Sequence, residues 1–186
     1  MKKEKLTAAV LILLAIIFIV NFILIKNKEK ASLAVIQNIP KAFITLKAPP
    51  FKEELVEKGN ALEMYLFTSS HKKADYSLTY AVYEKSPDIK SAAGEIAEIF
   101  KLNDFKYKEE EIEIGGNPAV KIDGTYVKDG KNFALKELLI KKDKRLWQLL
   151  TLYLSSPENE TAAQEFINSA VLDDNAGEGE KKNVKL

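Results

Sequence analysis

His71 is the one imidazole in a chain of 186 residues, and it stands beside two hydroxyls in Ser69-Ser70-His71-Lys72-Lys73. Serine, histidine and a carboxylate make a hydrolytic triad when an acid orients the base and an oxyanion hole lies nearby. The glycine pattern of a nucleophile elbow is missing around Ser69 and Ser70, so an exposed loop histidine is the simpler expectation. Glu109, Glu110, Glu111 and Glu113 form an acidic run. On a strand Glu109, Glu111 and Glu113 share one face, and three carboxylates in a row could gather a hard cation such as Ca²⁺. They lack the turn glycines and converging loops of such a site, which points to a solvated face or a guarded sheet edge. A glycosidase would need two acids across a cleft, and the sequence nominates no such pair.

Gly115-Gly116 carries no dinucleotide or Walker pattern and reads as a turn between strands. Lys141, Lys142, Lys144 and Arg145 make a basic knuckle at a hairpin tip, which could touch anionic headgroups if the domain leans on a membrane. Tyr65, Tyr76, Tyr80, Tyr83, Tyr126, Tyr153 and Trp147 all fall on expected strands. Such residues are enriched at binding surfaces, but they are also ordinary sheet formers, so packing is the first expectation. No catalytic, cofactor-binding or metal-ligating residue is nominated. The absence of Cys excludes a disulfide framework, a thiolate metal site and a Cys nucleophile.

The elements that position these residues follow from hydropathy. Leu6 to Ile25 contains no charge, and its only polar members are Thr7 and Asn21. As a helix these 20 residues would span about 30 Å, the thickness of a bilayer's hydrocarbon core. The run exceeds the apolar core of a secretory signal, and Ser32-Leu33-Ala34, the nearby small-x-small site, lies beyond the charged stretch Lys26 to Lys30. An uncleaved signal-anchor is therefore expected, with a cleaved signal peptide as the rival. Lys2, Lys3 and Lys5 precede the run and Lys26, Lys28 and Lys30 follow it, so basic residues barely set the orientation. A first apolar segment followed by a large domain commonly translocates that domain. Residues 1–5 are expected in the cytoplasm, residues 6–25 in the membrane, and the rest outside the cytoplasm. Asn21, near the helix end, could mark a helix contact but fits an interfacial position.

The whole chain carries 28 basic and 27 acidic side chains. Six and two of these precede Ala31, which leaves the remainder with three more acidic than basic groups. That argues against nucleic acid as a partner. Residues 26–41 read as a stem ending near Pro40, and residues 173–186 as a disordered tail too poor in apolar residues to offset ordering entropy. Residues 42–172 are enough for one core.

Within that span Phe43 to Leu46 reads as a short first strand. Leu62 to Phe67 and Tyr76 to Val82 read as strands joined by a polar loop over Ser69 to Asp75. Ser86-Pro87-Asp88 starts a helix whose stripe is Ala92, Ile96, Ile99 and Phe100. Phe105 to Ile114, Ala119 to Val127, Phe133 to Ile140 and Leu146 to Leu154 form a four-strand meander. The last of these is apolar on both faces and should be central. Ser156-Pro157 opens a second helix with Ala162, Ala163, Phe166, Ile167, Ala170 and Val171 as its stripe. Helices on an antiparallel sheet define an α+β fold.

FITLKAPPF at Phe43 to Phe51 has the form of a strand entering a Pro-aromatic turn. GGNPAVKIDGTY at Gly115 to Tyr126, KDKRLWQLLTLYLSSPEN at Lys142 to Asn159 and FINSAV at Phe166 to Val171 follow in order. Together they resemble the PsbP-like family, which includes an extrinsic photosystem II subunit and bacterial relatives without photosynthesis. The resemblance covers about Ala42 to Leu172. It implies an antiparallel sheet between helices, here preceded by one transmembrane helix, and says little about activity. The leading functional expectation is a membrane-anchored, extracytoplasmic, non-catalytic domain that binds a protein partner or assists a membrane complex. The alternatives are a carrier of a small apolar ligand between sheet and helix, and a hydrolase.

Overall fold

The structure, a computed structural model, describes residues 34–173. The expected membrane segment, half of the expected stem and nearly all of the expected tail lie outside the described residues. Among the described residues, no helix is long and apolar enough to cross a membrane.

The fold is α+β, with two antiparallel sheets and two α-helices. Strands β1 (Val35–Ile39), β2 (Ile44–Ala48) and β10 (Val171–Leu172) form a small sheet in the order β1-β2-β10. The large sheet holds β3 (Lys52–Glu54), β4 (Glu63–His71), β5 (Ala74–Val82), β6 (Lys106–Ile114), β7 (Asn117–Lys128), β8 (Lys131–Lys142) and β9 (Arg145–Leu154), in the order β3-β4-β5-β9-β8-β7-β6. Helix α1 is Ile89–Leu102 and α2 is Pro157–Asn168. β9 is fourth of seven, as its two apolar faces require. Leu146, Leu150 and Leu152 enter one core, while Trp147, Leu149 and Tyr153 enter the other.

The first core lies between the large sheet on one side and the small sheet and α2 on the other. A register row, Ala119–Ile140–Trp147–Tyr80–Tyr65, crosses five strands on this face. Trp147, fully buried, donates from Nε1 to the Ala42 carbonyl at 2.5 Å, which pins the turn between β1 and β2 to the sheet. Phe166 of α2 meets Tyr76 edge-on at 5.3 Å. The second core lies under α1, whose Ile96, Ile99 and Phe100 pack with Ile122, Leu135 and Leu150. Full burial of one such side chain stabilises by about 1.5–3 kcal/mol.

Both helices start where their sequence says they should. The Asp88 carboxylate accepts from the Lys90 N–H at 3.1 Å, and Ser156 Oγ accepts from the Asn159 N–H at 3.2 Å with Pro157 as first residue.

Four expectations are corrected. Residues 35–39 are a strand rather than stem, because β1 pairs with β2 from Val35↔Ala48 to Ile39↔Ile44 and the domain starts earlier than residue 42. Phe43 is not in the first strand but in a left-handed turn, φ 49°, after the 3-10 turn Pro40–Ala42. Ser69 to Asp75 is no loop: pairing runs through His71↔Ala74, and only Lys72 and Lys73 turn, with φ 48° and 65°. That two-residue turn matches the strand twist but lacks the Asn-Gly chemistry that usually announces it. Val171 leaves the α2 stripe to pair with Thr45. The second sheet was not expected at all, since its strands are five, five and two residues long.

Candidate functional site: two sheet faces and two ends

Strand alternation separates the residues that suggested a hydrolase. Ser70 Oγ donates to Asp75 Oδ1 at 2.5 Å on the α1 face of the sheet. His71, one residue on, and Ser69 point to the opposite face. His71 lines a cleft of about 90 Å³ with Lys72, Tyr76 and Glu158 from the hairpin and α2, and with Ala34 where the described chain starts. Partial burial, and then the neighbouring Lys72, lower the His71 pKa below its usual value, against an opposing pull from Glu158. Lys72 itself is paired with Glu158 at 2.5 Å. Ser70 and Asp75 thus face away from His71, their near neighbour in sequence.

The acidic run occupies β6, an edge strand of the large sheet, with Glu109, Glu110, Glu111 and Glu113 exposed. Glu111 pairs with Lys90 of α1 at 2.7 Å. No group of three or more metal-ligating side chains forms among the described residues. Gly115 and Gly116 make the β6–β7 turn with φ 57° and 74°, as the sequence suggests. Lys141, Lys142, Lys144 and Arg145 lie at the β8–β9 turn, where Arg145 pairs with Val82.

The aromatic side chains mostly point inward. Tyr76, Tyr80, Tyr153 and Trp147 are buried. Arg145 Nε donates to Tyr80 OH at 2.9 Å, and burial raises that phenol's pKa. Tyr83 has left β5, and burial, then the charge of Glu95, raise its pKa. Tyr126 is half-buried in a chain of rings, 4.3 Å from Phe105 and 5.0 Å from Phe133.

Sequence reasoning missed the buried ionisable groups. Glu137 of β8 is fully buried on the α1 face. Gln148 Nε2 donates to its Oε1 at 2.6 Å, and its Oε2 has no hydrogen-bond partner among the described residues. Burial pushes its pKa up to about 7 despite the Gln148 bond. Asp75 is on the same face, its pKa raised by burial to about 6, with Oδ2 likewise unpartnered among the described residues. On the opposite face, the side chain of Lys136 is 8% exposed and lies 2.9 Å from both Asp123 Oδ1 and Glu160 Oε1. Burial opposes the charge on Lys136, but the bonds to Glu160 and Asp123 win and its pKa rises. Tyr153 donates to the other oxygen of Glu160, which ties α2 to three neighbouring strands. The signal lay in Lys136-Glu137, two adjacent charges inside an apolar stretch, one for each face of a central strand.

An open groove of about 650 Å³ runs along α2, lined by Lys47, Glu160, Thr161, Gln164, Glu165 and Asn168 among others. Lys47 pairs with Glu165 there at 2.6 Å. This groove is lined largely by charged and amide side chains, while the small His71 cleft mixes Lys72, Glu158 and Asn159 with Ala48, Pro49 and Ala162.

The two ends of the strands differ. At the near end, where Ala34 meets His71 and Lys72, lie the β4–β5 turn, the β7–β8 turn and the C-terminus of α1. At the far end lie the Lys141–Arg145 knuckle and Leu62, whose N–H donates to the Val82 carbonyl at 2.8 Å. β5, which has nine residues, separates the ends by about 26 Å.

No protein-family model and no curated protein matches the chain. Several solved structures are similar to it. A protein from Bacteroides thetaiotaomicron is 13% identical with a TM-score of 0.44, over 77% of this chain and 49% of that one, so the chain spans about half its length. The protein of unknown function PA94 from Pseudomonas aeruginosa is 16% identical with a TM-score of 0.38, over 72% and 92%. LpqN of Mycobacterium tuberculosis, described as involved in cell envelope biogenesis, is 18% identical with a TM-score of 0.43, over 70% and 83%. Likeness at this level assigns neither a family nor a role.

Proposed function

We propose that the chain is a membrane-anchored, extracytoplasmic, non-catalytic domain of PsbP-like type that holds a protein partner beside the membrane. The observation that carries this reading is the polarity of the strands. The described chain starts at the near end, directly after the sequence that contains the apolar run Leu6 to Ile25. With that run in the bilayer, the far end points away from it and presents Leu55 and Leu62, both exposed, beside the basic knuckle. Tethering keeps this end at high local concentration around any membrane-associated partner. The separation of Ser70 and Asp75 from His71 supports a role without acyl-transfer chemistry.

A photo-crosslinking residue at Leu62 in native membranes is expected to give one discrete adduct, which Leu55→Glu abolishes while the domain stays folded. Recovery of the chain in the soluble fraction, or adducts that ignore the Leu55 substitution, would remove this reading.

A further inference from the structure

The near end has a composition of its own. Three segments meet there: the turn Lys72-Lys73, the turn Lys128-Asp129-Gly130-Lys131, and the end of α1 running from Lys101 and Leu102 through Asp104 to Lys106. Six lysines lie within these segments, all exposed. Lys72 is paired with Glu158 and Lys101 with Glu98. Lys73, Lys106, Lys128 and Lys131 make no ion pair among the described residues; the acidic groups at this end are Asp104 and Asp129 in the same segments and, at the start of α2, Glu158 and Glu160, which are paired with Lys72 and Lys136. The end is therefore basic although the part of the chain after residue 30 is acidic overall. Two large apolar side chains stand open among these lysines: Leu102 is 82% exposed and Val127 is 70% exposed. The half-buried rings of Tyr126 and Phe133 lie on the other face of the same hairpin, beside Phe105.

Lysines interspersed with exposed aliphatic groups and backed by aromatic rings suit the interface of an anionic bilayer. There the ammonium groups meet phosphates, the aliphatic tips reach the acyl boundary, and tyrosine sits at headgroup level. Reach favours the same occupant. Nine residue steps separate Ile25 from Ala34, and even fully extended they span only about 30 Å, so a domain held by that segment cannot leave the surface.

We propose that this end, with Lys73, Lys106, Lys128 and Lys131 around Leu102 and Val127, is a lipid-facing surface that seats the domain upright on an anionic leaflet. The proposal rests on the anchored reading above and adds the docking face and its lipid class. It moves headgroup contact from the Lys141–Arg145 knuckle to the opposite end of the strands.

The chain has no cysteine, so single labelling sites are clean. Full-length chain carrying Val127→Cys, Leu102→Cys or Leu62→Cys, each with an environment-sensitive dye, is placed in nanodiscs of phosphatidylcholine with or without phosphatidylglycerol. A nitroxide on the lipid serves as quencher. Quenching at 127 and 102 is expected to exceed that at 62 by about threefold or more in anionic discs, and to collapse in high salt or when the four lysines are changed to Glu. Trp147 emission reports that each variant is folded. Equal quenching at all three sites in discs that retain the chain overturns the lipid-facing surface and leaves the anchor standing. A chain that does not enter discs overturns both. Protection of Val127 in native membranes but not in pure-lipid discs assigns this end to a protein and also overturns the proposal.

Discussion

Ser70 and Asp75 occupy directly paired positions on β4 and β5, and the Ser70 hydroxyl donates to the Asp75 carboxylate across the hairpin at 2.5 Å. Because a strand alternates with period two, that bond commits His71 to the other side of the sheet. Ser70→Ala is expected to cost on the order of 1–2 kcal/mol by stripping a buried carboxylate of its donor. It should leave the His71 titration followed by NMR unmoved. Lys72→Gln, in contrast, should raise the His71 pKa, since Lys72 lowers it and Glu158 would remain to raise it. An equal change in Ser70→Ala would show that the two faces communicate and would refute the separation.

Glu137 makes stability depend on pH. Its folded pKa of about 7 lies above the ordinary glutamate value, so between roughly pH 4.5 and 7 the folded chain holds a proton that the unfolded chain has released. Stability therefore falls as pH rises through this window, by up to about 1.4 kcal/mol for each step of one in pH. Asp75 acts in the same direction from about pH 4 to 6. Glu137→Gln should stabilise the domain at pH 8 by on the order of 3 kcal/mol and have little effect at pH 4, as measured by urea unfolding. No gain at pH 8 would mean that the carboxylate is solvated or paired.

Lys136 spans β7 and α2 through Asp123 and Glu160. Its own side chain is buried, but those carboxylates are 42% and 53% exposed and regain water when it is removed. Lys136→Met is accordingly expected to cost about 1–2 kcal/mol, less than a fully buried pair would. Hydrogen exchange should rise first in α2. Uniform protection throughout α2 would show that the network does not hold the helix.

Trp147 is the one tryptophan, so its emission reports on the core directly. Trp147→Phe removes the bond to the Ala42 carbonyl as well as ring volume, and should cost about 2–3 kcal/mol. The protease sensitivity of residues 35–48 should increase with it. If that region stays resistant, the small sheet is held by its other contacts, such as Ile44 and Leu46 in the core.

Apolar residues on both faces of Leu146 to Leu154 were enough to place β9 at the centre, and Ser156-Pro157 and Ser86-Pro87-Asp88 were enough to start both helices. The small sheet was illegible because β1 reads VIQNI, with no alternation of burial to betray a strand; its order comes from β2 and from Gln37, whose side chain bonds to the Ala48 and Pro49 carbonyls at 2.9 Å. The Lys72-Lys73 turn was hidden for a similar reason, since its left-handed residues are lysines. Glu137 escaped because charge in a strand ordinarily signals solvent, although the apolar residues around Lys136-Glu137 mark a strand enclosed on both faces. The basic end escaped because its lysines are up to 59 residues apart in sequence and converge only through hairpin geometry.

The order β1-β2-β10 joins the first and last described strands to a common neighbour, and the Asp173 N–H closes on the Phe43 carbonyl at 2.9 Å. Tension applied at Ala34 along the β1 axis is met by all five rungs from Val35 to Ile39 together, in shear, rather than rung by rung. The small sheet is thereby a mechanical clasp, and the load enters along the whole length of β1.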